Sequence, residues 1–202
     1  MPRASTFAFL AVACAAAGAM AQDAPPKKDP QSAVEPRSGP GAGQKYLARF
    51  AGDWTVAKNF YPRGGGAPVS VAGTCKQTMV HGGRFLLSEF VFERAGEKST
   101  GTGTIGFEPA TGFFTSFWSD SRSTRFSVRQ SKEPFDGEQI VLHAKGLQED
   151  GKDARPSRTV SKLEEGGGKL VHRQYAPTAD GKERLIMELV MTRVNVAPAS
   201  KP

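Results

Sequence analysis

The sequence contains little cysteine and little histidine, with two and three residues respectively among 202. If Cys14 is removed with an N-terminal signal, Cys75 remains alone and no intramolecular disulfide can form. We interpret Cys75 as a small apolar strand residue. None of the histidines His81, His143 and His172 has a second histidine or cysteine at a ligand spacing, which indicates no metal site. The Gly-x-Ser-x-Gly and His-Glu-x-x-His motifs are also absent, so no motif specifies a reaction.

The sequence also lacks runs of one charge, although its formal net charge is +7. Lysine and arginine are scattered among aspartate and glutamate, without a run of five like charges. A nucleic-acid-binding protein would concentrate its basic residues, so we expect no nucleic acid as a partner. The basic surface predicts at most a weak attraction to an anionic envelope surface. The oligomeric state is left open.

Only one apolar run is long enough to matter, at residues 7–17, and it is too short to span a membrane. Arg3 precedes this run and the small-x-small peptide Ala19-Met20-Ala21 follows it, which is typical of a secretory signal. We expect cleavage after Ala21 and a soluble periplasmic or secreted protein. The alternative is a lipoprotein modified at Cys14.

Composition divides the rest of the chain into four segments. Residues 1–21 are the predicted signal peptide, and residues 22–43 are rich in Pro, Gly, Lys and Ser, which predicts a disordered linker. Residues 44–194 are long enough for one domain with a core, and residues 195–202 form a disordered tail. Within the domain, Tyr46, Leu47 and Phe50 share one face of a short helix predicted over residues 44–51.

After Gly52 the apolar period changes from that of a helix to that of a strand. Turn signals recur every 10 to 15 residues or so and separate about ten runs rich in Phe, Val, Thr, Ile and Leu. We therefore predict an all-β fold, an antiparallel up-and-down β-barrel of about ten strands. Gly101, Gly103 and Gly106 match the dinucleotide-binding spacing, but a strand and a turn follow them instead of a helix. We expect no cofactor there.

Strand parity predicts which side chains face the barrel interior. In the last strand, one face carries Leu185, Met187, Leu189, Met191 and Arg193, and in the first strand Trp54, Val56 and Phe60 share a face. Residues 113–118 are aromatic on both faces, so parity leaves Trp118 open. His172 is a strand histidine, either inside the cup or on its solvated face. The candidate ligand-binding residues are Phe60, Phe126, Leu142, Trp118, His172, Met187 and Leu189.

Two short peptides at opposite ends of the domain carry a resemblance. Gly52-Asp53-Trp54 and Thr192-Arg193 are similar to the barrel ends of calycins, the group that includes lipocalins. The resemblance implies that Gly52, Trp54 and Arg193 form a structural plug, with the basic side chain across the tryptophan ring. A weaker resemblance to the haem-binding nitrobindins includes Tyr61 and Pro62. The glycines expected between Thr55 and Phe60 are missing, which argues against haem.

A wider set of motifs resembles a bacterial family, the domain of unknown function 1579 family. The matching peptides are Phe50-Ala51-Gly52-Asp53-Trp54, Gly82-Gly83-Arg84-Phe85-Leu86, Gly103-Thr104-Ile105-Gly106-Phe107, Trp118-Ser119-Asp120, residues 177–181 and Met191-Thr192-Arg193. They occur in the family's order across the domain, and the family often has leucine where this chain has Phe50. The resemblance implies a lipocalin-like barrel and no particular activity.

Three functions remain open at this point. The first is an exported barrel that binds a small apolar or amphipathic molecule. The second is an enzyme that uses the same cavity, with His172, Trp118 and Asp120 near its mouth. The third is a filled barrel whose surface binds an envelope partner. We expect the first, because the predicted inner face is lined by Leu, Met and Phe.

Overall fold

The computed structural model describes residues 39–145 and 156–194 of the chain. The predicted signal peptide, residues 22–38 of the predicted linker and the tail 195–202 lie outside the described residues. The elements are α1 (Ala42–Ala48), β1 (Gly52–Phe60), β2 (Val69–Val80), β3 (Phe85–Arg94), β4 (Glu97–Glu108), β5 (Phe113–Asp120), β6 (Ser127–Gln130), β7 (Ile140–Lys145), β8 (Arg158–Glu164), β9 (Lys169–Pro177) and β10 (Glu183–Arg193). No helix in these two ranges is long and apolar enough to cross a membrane.

The ten strands form a closed antiparallel barrel in which each strand pairs with its neighbours in sequence. The first and last strands complete the circle, with Trp54 opposite Arg193 and Phe60 opposite Met187. Tight hairpins allow this up-and-down order. Ala95 and Gly96, for example, both adopt positive φ between β3 and β4, as a turn that matches the strand twist requires. The predicted all-β barrel with one short helix is therefore confirmed.

Helix α1 is shorter than predicted and begins earlier, at Ala42 instead of residue 44. The Gln44 side chain accepts a hydrogen bond of 2.7 Å from the Gly41 backbone N–H, which satisfies a donor that a helix start leaves free. The apolar face is as expected, because Tyr46, Leu47 and Phe50 are all buried. This face packs into the barrel core and covers one end of the barrel.

Arg193 ties the last strand to the end of this helix region. Its Nη1 and Nη2 atoms donate hydrogen bonds of 2.7 Å to the carbonyl oxygens of Ala51 and Arg49, and its Nε atom donates to Gly167 at 3.1 Å. The guanidinium carbon lies 4.2 Å from the ring centroid of Trp54, within cation–π distance. The structure thus places this arginine across the tryptophan ring at the end of the barrel that α1 covers.

Trp54 and Gly52 are fitted closely around this arginine. Trp54 is 1 % exposed, and its indole Nε1 donates to the Phe50 carbonyl oxygen at 2.9 Å. Gly52 has a φ of +135°, and a Cβ atom there would lie 2.6 Å from Nη1 of Arg193. A side chain at position 52 would therefore be strained and would displace the guanidinium group.

Strand parity holds through most of the barrel and changes once in β10. Residues 187–193 keep the predicted alternation, but a β-bulge interrupts the pairing with β9 between Leu185 and Met187. Leu185 lies opposite Tyr175, whereas Met187 lies opposite Gln174. Because the extra residue of a bulge shifts the alternation by one, Leu185 is on the outer face, and its predicted inward orientation is wrong.

Candidate functional site

A cavity of about 400 Å³ lies inside the barrel, beyond the plugged end. Its floor includes Phe50 and Met191, next to the tryptophan plug, and its opposite end includes Phe60, Asp120 and Arg122, where β1 and β5 end. Because α1 covers one end of the barrel and the other end is open, the cavity has the form of a cup. The described part of the chain therefore forms a barrel with an internal cavity.

The lining of the cup is mainly apolar and aromatic. Phe90 stacks on Phe92 with ring centroids 5.7 Å apart and meets the edge of Trp118 at 5.5 Å. Gly101 and Gly103 face the Trp118 ring, and a Cβ at Gly101 would lie 2.3 Å from it. Because these two positions of β4 lack side chains, the indole of Trp118 can lie against the strand. The packing of Trp118 therefore accounts for the glycines, and no nucleotide-binding role is needed.

Six of the seven candidate ligand-binding residues line this cavity: Phe60, Leu142, Trp118, His172, Met187 and Leu189. The structure also resolves the open parity of β5, because Phe114 is buried and the Trp118 ring packs against Phe90, whereas Phe117 is 51 % exposed. Whether these residues contact a ligand stays a prediction.

The inward orientation predicted for Phe126 is wrong. Phe126 lies just before β6 and is 73 % exposed. In that strand Ser127 and Arg129 line the cavity, so alternation places Phe126 and Val128 on the outer face. An apolar pair on one strand face predicts an inward orientation, whereas this short strand directs its polar residues into the cup.

His172 lies on the inner wall together with a serine from the neighbouring strand. Its Nδ1 atom is 2.8 Å from the Ser161 Oγ atom, and these two residues face each other across the β8–β9 pair. Burial, with a smaller effect from the positive charge of Arg129, lowers the pKa of His172 to about 4. His172 is therefore neutral at pH 7. Among the described residues its Nε2 atom has no hydrogen-bond partner.

Arg129 is a cavity residue that the sequence reasoning missed. Its Nη1 atom donates to the Ser157 hydroxyl at 2.8 Å and is 3.5 Å from the Ser157 carbonyl oxygen. Burial lowers the pKa of this guanidinium. No carboxylate pairs with it among the described residues. Only the alternation of β6 could have located it, once Ser127 had been recognised as inward.

Lys58 is a second missed cation. It is 8 % exposed, and its Nζ atom lies 4.5 Å from the ring centroid of Phe92 and 4.9 Å from that of Phe60. Burial lowers the pKa of Lys58, and Arg122 lowers it further while Asp120 raises it. A signal was present, because Lys58 falls between Val56 and Phe60 on the inward face of β1.

Asp120 is the acidic side chain of the described lining. It accepts hydrogen bonds from Trp118 Nε1 at 3.0 Å and from the Arg122 backbone N–H at 2.9 Å. Burial raises the pKa of Asp120, but these bonds and the charges of Arg122 and Lys58 outweigh it and lower the pKa overall. Asp120 is thus ionised and already engaged near the mouth.

A polar pair also interrupts the apolar wall between β2 and β3. Gln77 Nε2 donates to the Ser88 hydroxyl at 3.0 Å, and both residues are buried and line the cavity. The Gln77 Oε1 atom has no hydrogen-bond partner within the described part of the chain. Because an unpaired buried acceptor is costly, this atom is a place where a polar group inside the cup would be stabilised.

The described residues offer few side chains that could bind a metal ion or a haem iron. Within residues 39–145 and 156–194, no group of three or more His, Cys, Asp or Glu side chains could hold a metal ion. Cys75 is buried and outside the cavity lining, and burial raises its pKa to about 12, so its thiol is protonated. Of the three histidines only His172 lines the cavity, so the haem hypothesis depends on its Nε2 atom.

Comparison with known proteins supports the sequence resemblance. The model of the family described as "Protein of unknown function (DUF1579)" matches residues 39–193. No curated protein matches the chain. Among solved structures, the crystal structure of Rv2717c from M. tuberculosis is similar, with a TM-score of 0.56 and 14 % identity over 78 % of this chain and 100 % of that chain. At this identity the likeness shows a shared fold alone.

Proposed function

The chain belongs to the DUF1579 family, and we propose that it is a binding protein that holds one small apolar or amphipathic molecule inside its barrel. The observation that carries this proposal is the cavity of about 400 Å³ inside the barrel. Pockets for small ligands typically measure about 300–1,000 Å³ and combine apolar walls with a few polar groups. The proposal needs no cofactor and no nucleic acid.

The composition of the wall supports an amphipathic occupant. Phe90, Phe92, Leu142, Met187 and Leu189 supply apolar surface that an apolar molecule would remove from water. Polar groups such as Gln77 and His172 interrupt that surface at fixed positions. We expect them to orient the ligand, while the apolar wall contributes most of the binding free energy.

The alternative of catalysis has one observation in its favour, the hydrogen bond between Ser161 and His172. A serine nucleophile needs a base that is itself oriented by a third group. Among the described residues no carboxylate contacts His172, so this pair lacks that third group. We therefore favour binding over turnover.

We further propose that binding takes place outside the cytoplasm. The support is the sequence alone: the apolar run at residues 7–17 and the peptide ending at Ala21 have the order of a cleaved secretory signal. A soluble product that starts at Gln22, identified by N-terminal sequencing of the protein from cells that make it, is the expected result. An uncleaved protein that still starts at Met1 in the cytoplasmic fraction would contradict export, whereas a lipid on Cys14 would keep export and replace cleavage after Ala21.

The binding proposal is tested with N-phenyl-1-naphthylamine, an uncharged probe that fluoresces in apolar surroundings. We expect the purified protein to bind it and Met187→Arg to bind it at least about tenfold more weakly, because a charge would enter the apolar cavity. Leu185→Arg is the matched control, since it adds the same charge to the same strand on the outer face. Circular dichroism and a denaturant midpoint establish that both variants fold. Equal probe binding by folded Met187→Arg and wild type would contradict a cavity site.

A further inference from the structure

The charges that line the cup do not balance. Three cationic side chains, Lys58, Arg122 and Arg129, belong to the described lining, against one acidic side chain, Asp120. Arg122 is exposed at the mouth, whereas Lys58 is buried and Arg129 is partly buried, so the desolvated charges are those of Lys58 and Arg129. His172 adds no charge at pH 7. An apolar cavity with a net positive lining is unfavourable when empty, because a desolvated charge needs a counter-charge.

The positive charge that lacks a nearby acidic side chain among the described residues is that of Arg129. Lys58 and Arg122 share the electrostatic influence of Asp120 near the mouth. Arg129 lies on β6, across the barrel from β1, and its hydrogen-bond partner is the uncharged Ser157. Burial lowers the pKa of Arg129, and no carboxylate within residues 39–145 and 156–194 pairs with its guanidinium.

We propose that the ligand carries one oxyanion group, and that Arg129 binds it. This inference rests on the proposed binding function and narrows it to anionic amphipathic molecules. Nη1 of Arg129 is engaged by Ser157, while Nε and Nη2 have no partner among the described residues. A guanidinium presents such donors in a planar fork that matches the two oxygens of a carboxylate or of a related oxyanion.

The neighbours of Arg129 fit this assignment. Its charge influences His172, which places the imidazole near the same region of the wall. The neutral ring neither repels an anion nor competes for it, and Gln174 lies on the same strand face as His172. The apolar body of the ligand then occupies the side of the cavity lined by Leu142, Leu170 and Met191.

The experiment compares two molecules that differ only in their head group. Dodecanoate and 1-dodecanol are titrated against the protein loaded with N-phenyl-1-naphthylamine at pH 7.5, and displacement gives two dissociation constants. We expect dodecanoate to bind at least about tenfold more tightly, since a hydrogen bond to a charged partner contributes that much. Dodecyl phosphate is a third arm, which separates a carboxylate site from a general oxyanion site.

Three variants locate the anion. Arg129→Met is expected to abolish the preference for dodecanoate and to keep probe binding. Arg173→Met is the matched control, because Arg173 pairs with Glu188 at 2.8 Å and is absent from the cavity lining; it should keep the preference. Lys58→Met is also expected to keep it. A preference that survives Arg129→Met, or that only Lys58→Met removes, would overturn the assignment.

Stability supplies a second readout that does not depend on displacement. Arg129→Met removes a charge that no carboxylate of the described residues pairs with, so its unliganded denaturant midpoint should equal or exceed that of the wild type. Dodecanoate should raise the midpoint of the wild type and leave that of Arg129→Met nearly unchanged. Equal affinity of the wild type for acid and alcohol would overturn this inference and leave the binding function intact, whereas failure to bind the probe at all would overturn the binding function itself.

Discussion

The pKa of His172 reflects the low polarity of the cup. In the folded protein its pKa is about 4 instead of 6.5, chiefly because the barrel removes the imidazole from water. The unfolded chain therefore binds a proton between about pH 6.5 and pH 4 that the folded protein does not bind. By linkage, the free energy of unfolding is highest above pH 6.5 and falls as the pH decreases through this window.

This linkage predicts a measurable difference between two proteins. Between pH 7 and pH 4, the wild type should lose up to about 3 kcal/mol more stability than His172→Gln, which has no group to titrate there. Urea unfolding at several pH values measures both slopes. His81→Gln changes an exposed turn histidine and should decline as the wild type does. If His172→Gln lost stability as steeply as the wild type, the buried neutral imidazole would be the wrong description.

Single residues also show where sequence reasoning stops. Trp54, Met187 and Leu189 could be oriented from alternation, because each lies in a long strand with a clear apolar face. Lys58 follows the same alternation, yet its charge suggests an outward position, and only the phenyl rings on either side explain why it is inside. Arg129 could be located only once Ser127 was known to face inward, because a strand of four residues offers too little pattern to orient by itself.

At the scale of elements, the plugged end depends on contacts between distant segments. Arg193 on β10 donates to carbonyl oxygens that follow α1, and Trp54 on β1 lies beneath its guanidinium. The free carbonyls of a helix end are thereby satisfied by a strand from the other end of the domain. This arrangement couples the helix to barrel closure.

Truncation of the plug tests that coupling. Trp54→Ala should lower the free energy of unfolding by roughly 3–5 kcal/mol, because a large enclosed ring is lost and the site cannot collapse against a rigid barrel. Trp118→Ala, which removes an equal ring from the cavity wall, should cost less, since that ring already faces open space. Equilibrium denaturation measures both. An unchanged midpoint for Trp54→Ala would refute the plug.

Elements were predictable where their pattern was long and undisturbed. Recurrent turn residues located the ten strands, and the spacing of Tyr46, Leu47 and Phe50 identified the buried face of α1. The bulge before Met187 was not predictable, because an extra residue in a strand of alternating Leu, Ile and Met leaves no turn signal. The orientation of β6 was not predictable, because its outer face carries the apolar residues and its inner face carries the polar ones.

At the scale of the whole molecule, closure and hollowness have different origins. Closure follows from complementary first and last strands, and the motifs at Gly52-Asp53-Trp54 and Thr192-Arg193 anticipated it. The volume of the cavity depends on the side chains that all ten strands place inside the barrel. A local sequence pattern therefore cannot predict it. The excess of cations in the lining likewise emerges only when residues from β1, β5 and β6 are brought around one space.

The central claim is that this barrel carries a small molecule in its cup. Native mass spectrometry of the protein purified from the cells that make it, compared with its mass after denaturation, tests that claim most directly. We expect one discrete additional mass that disappears on denaturation and is missing from Met187→Arg. The same bare mass under native and denaturing conditions, with Met187→Arg indistinguishable from the wild type, would contradict the claim.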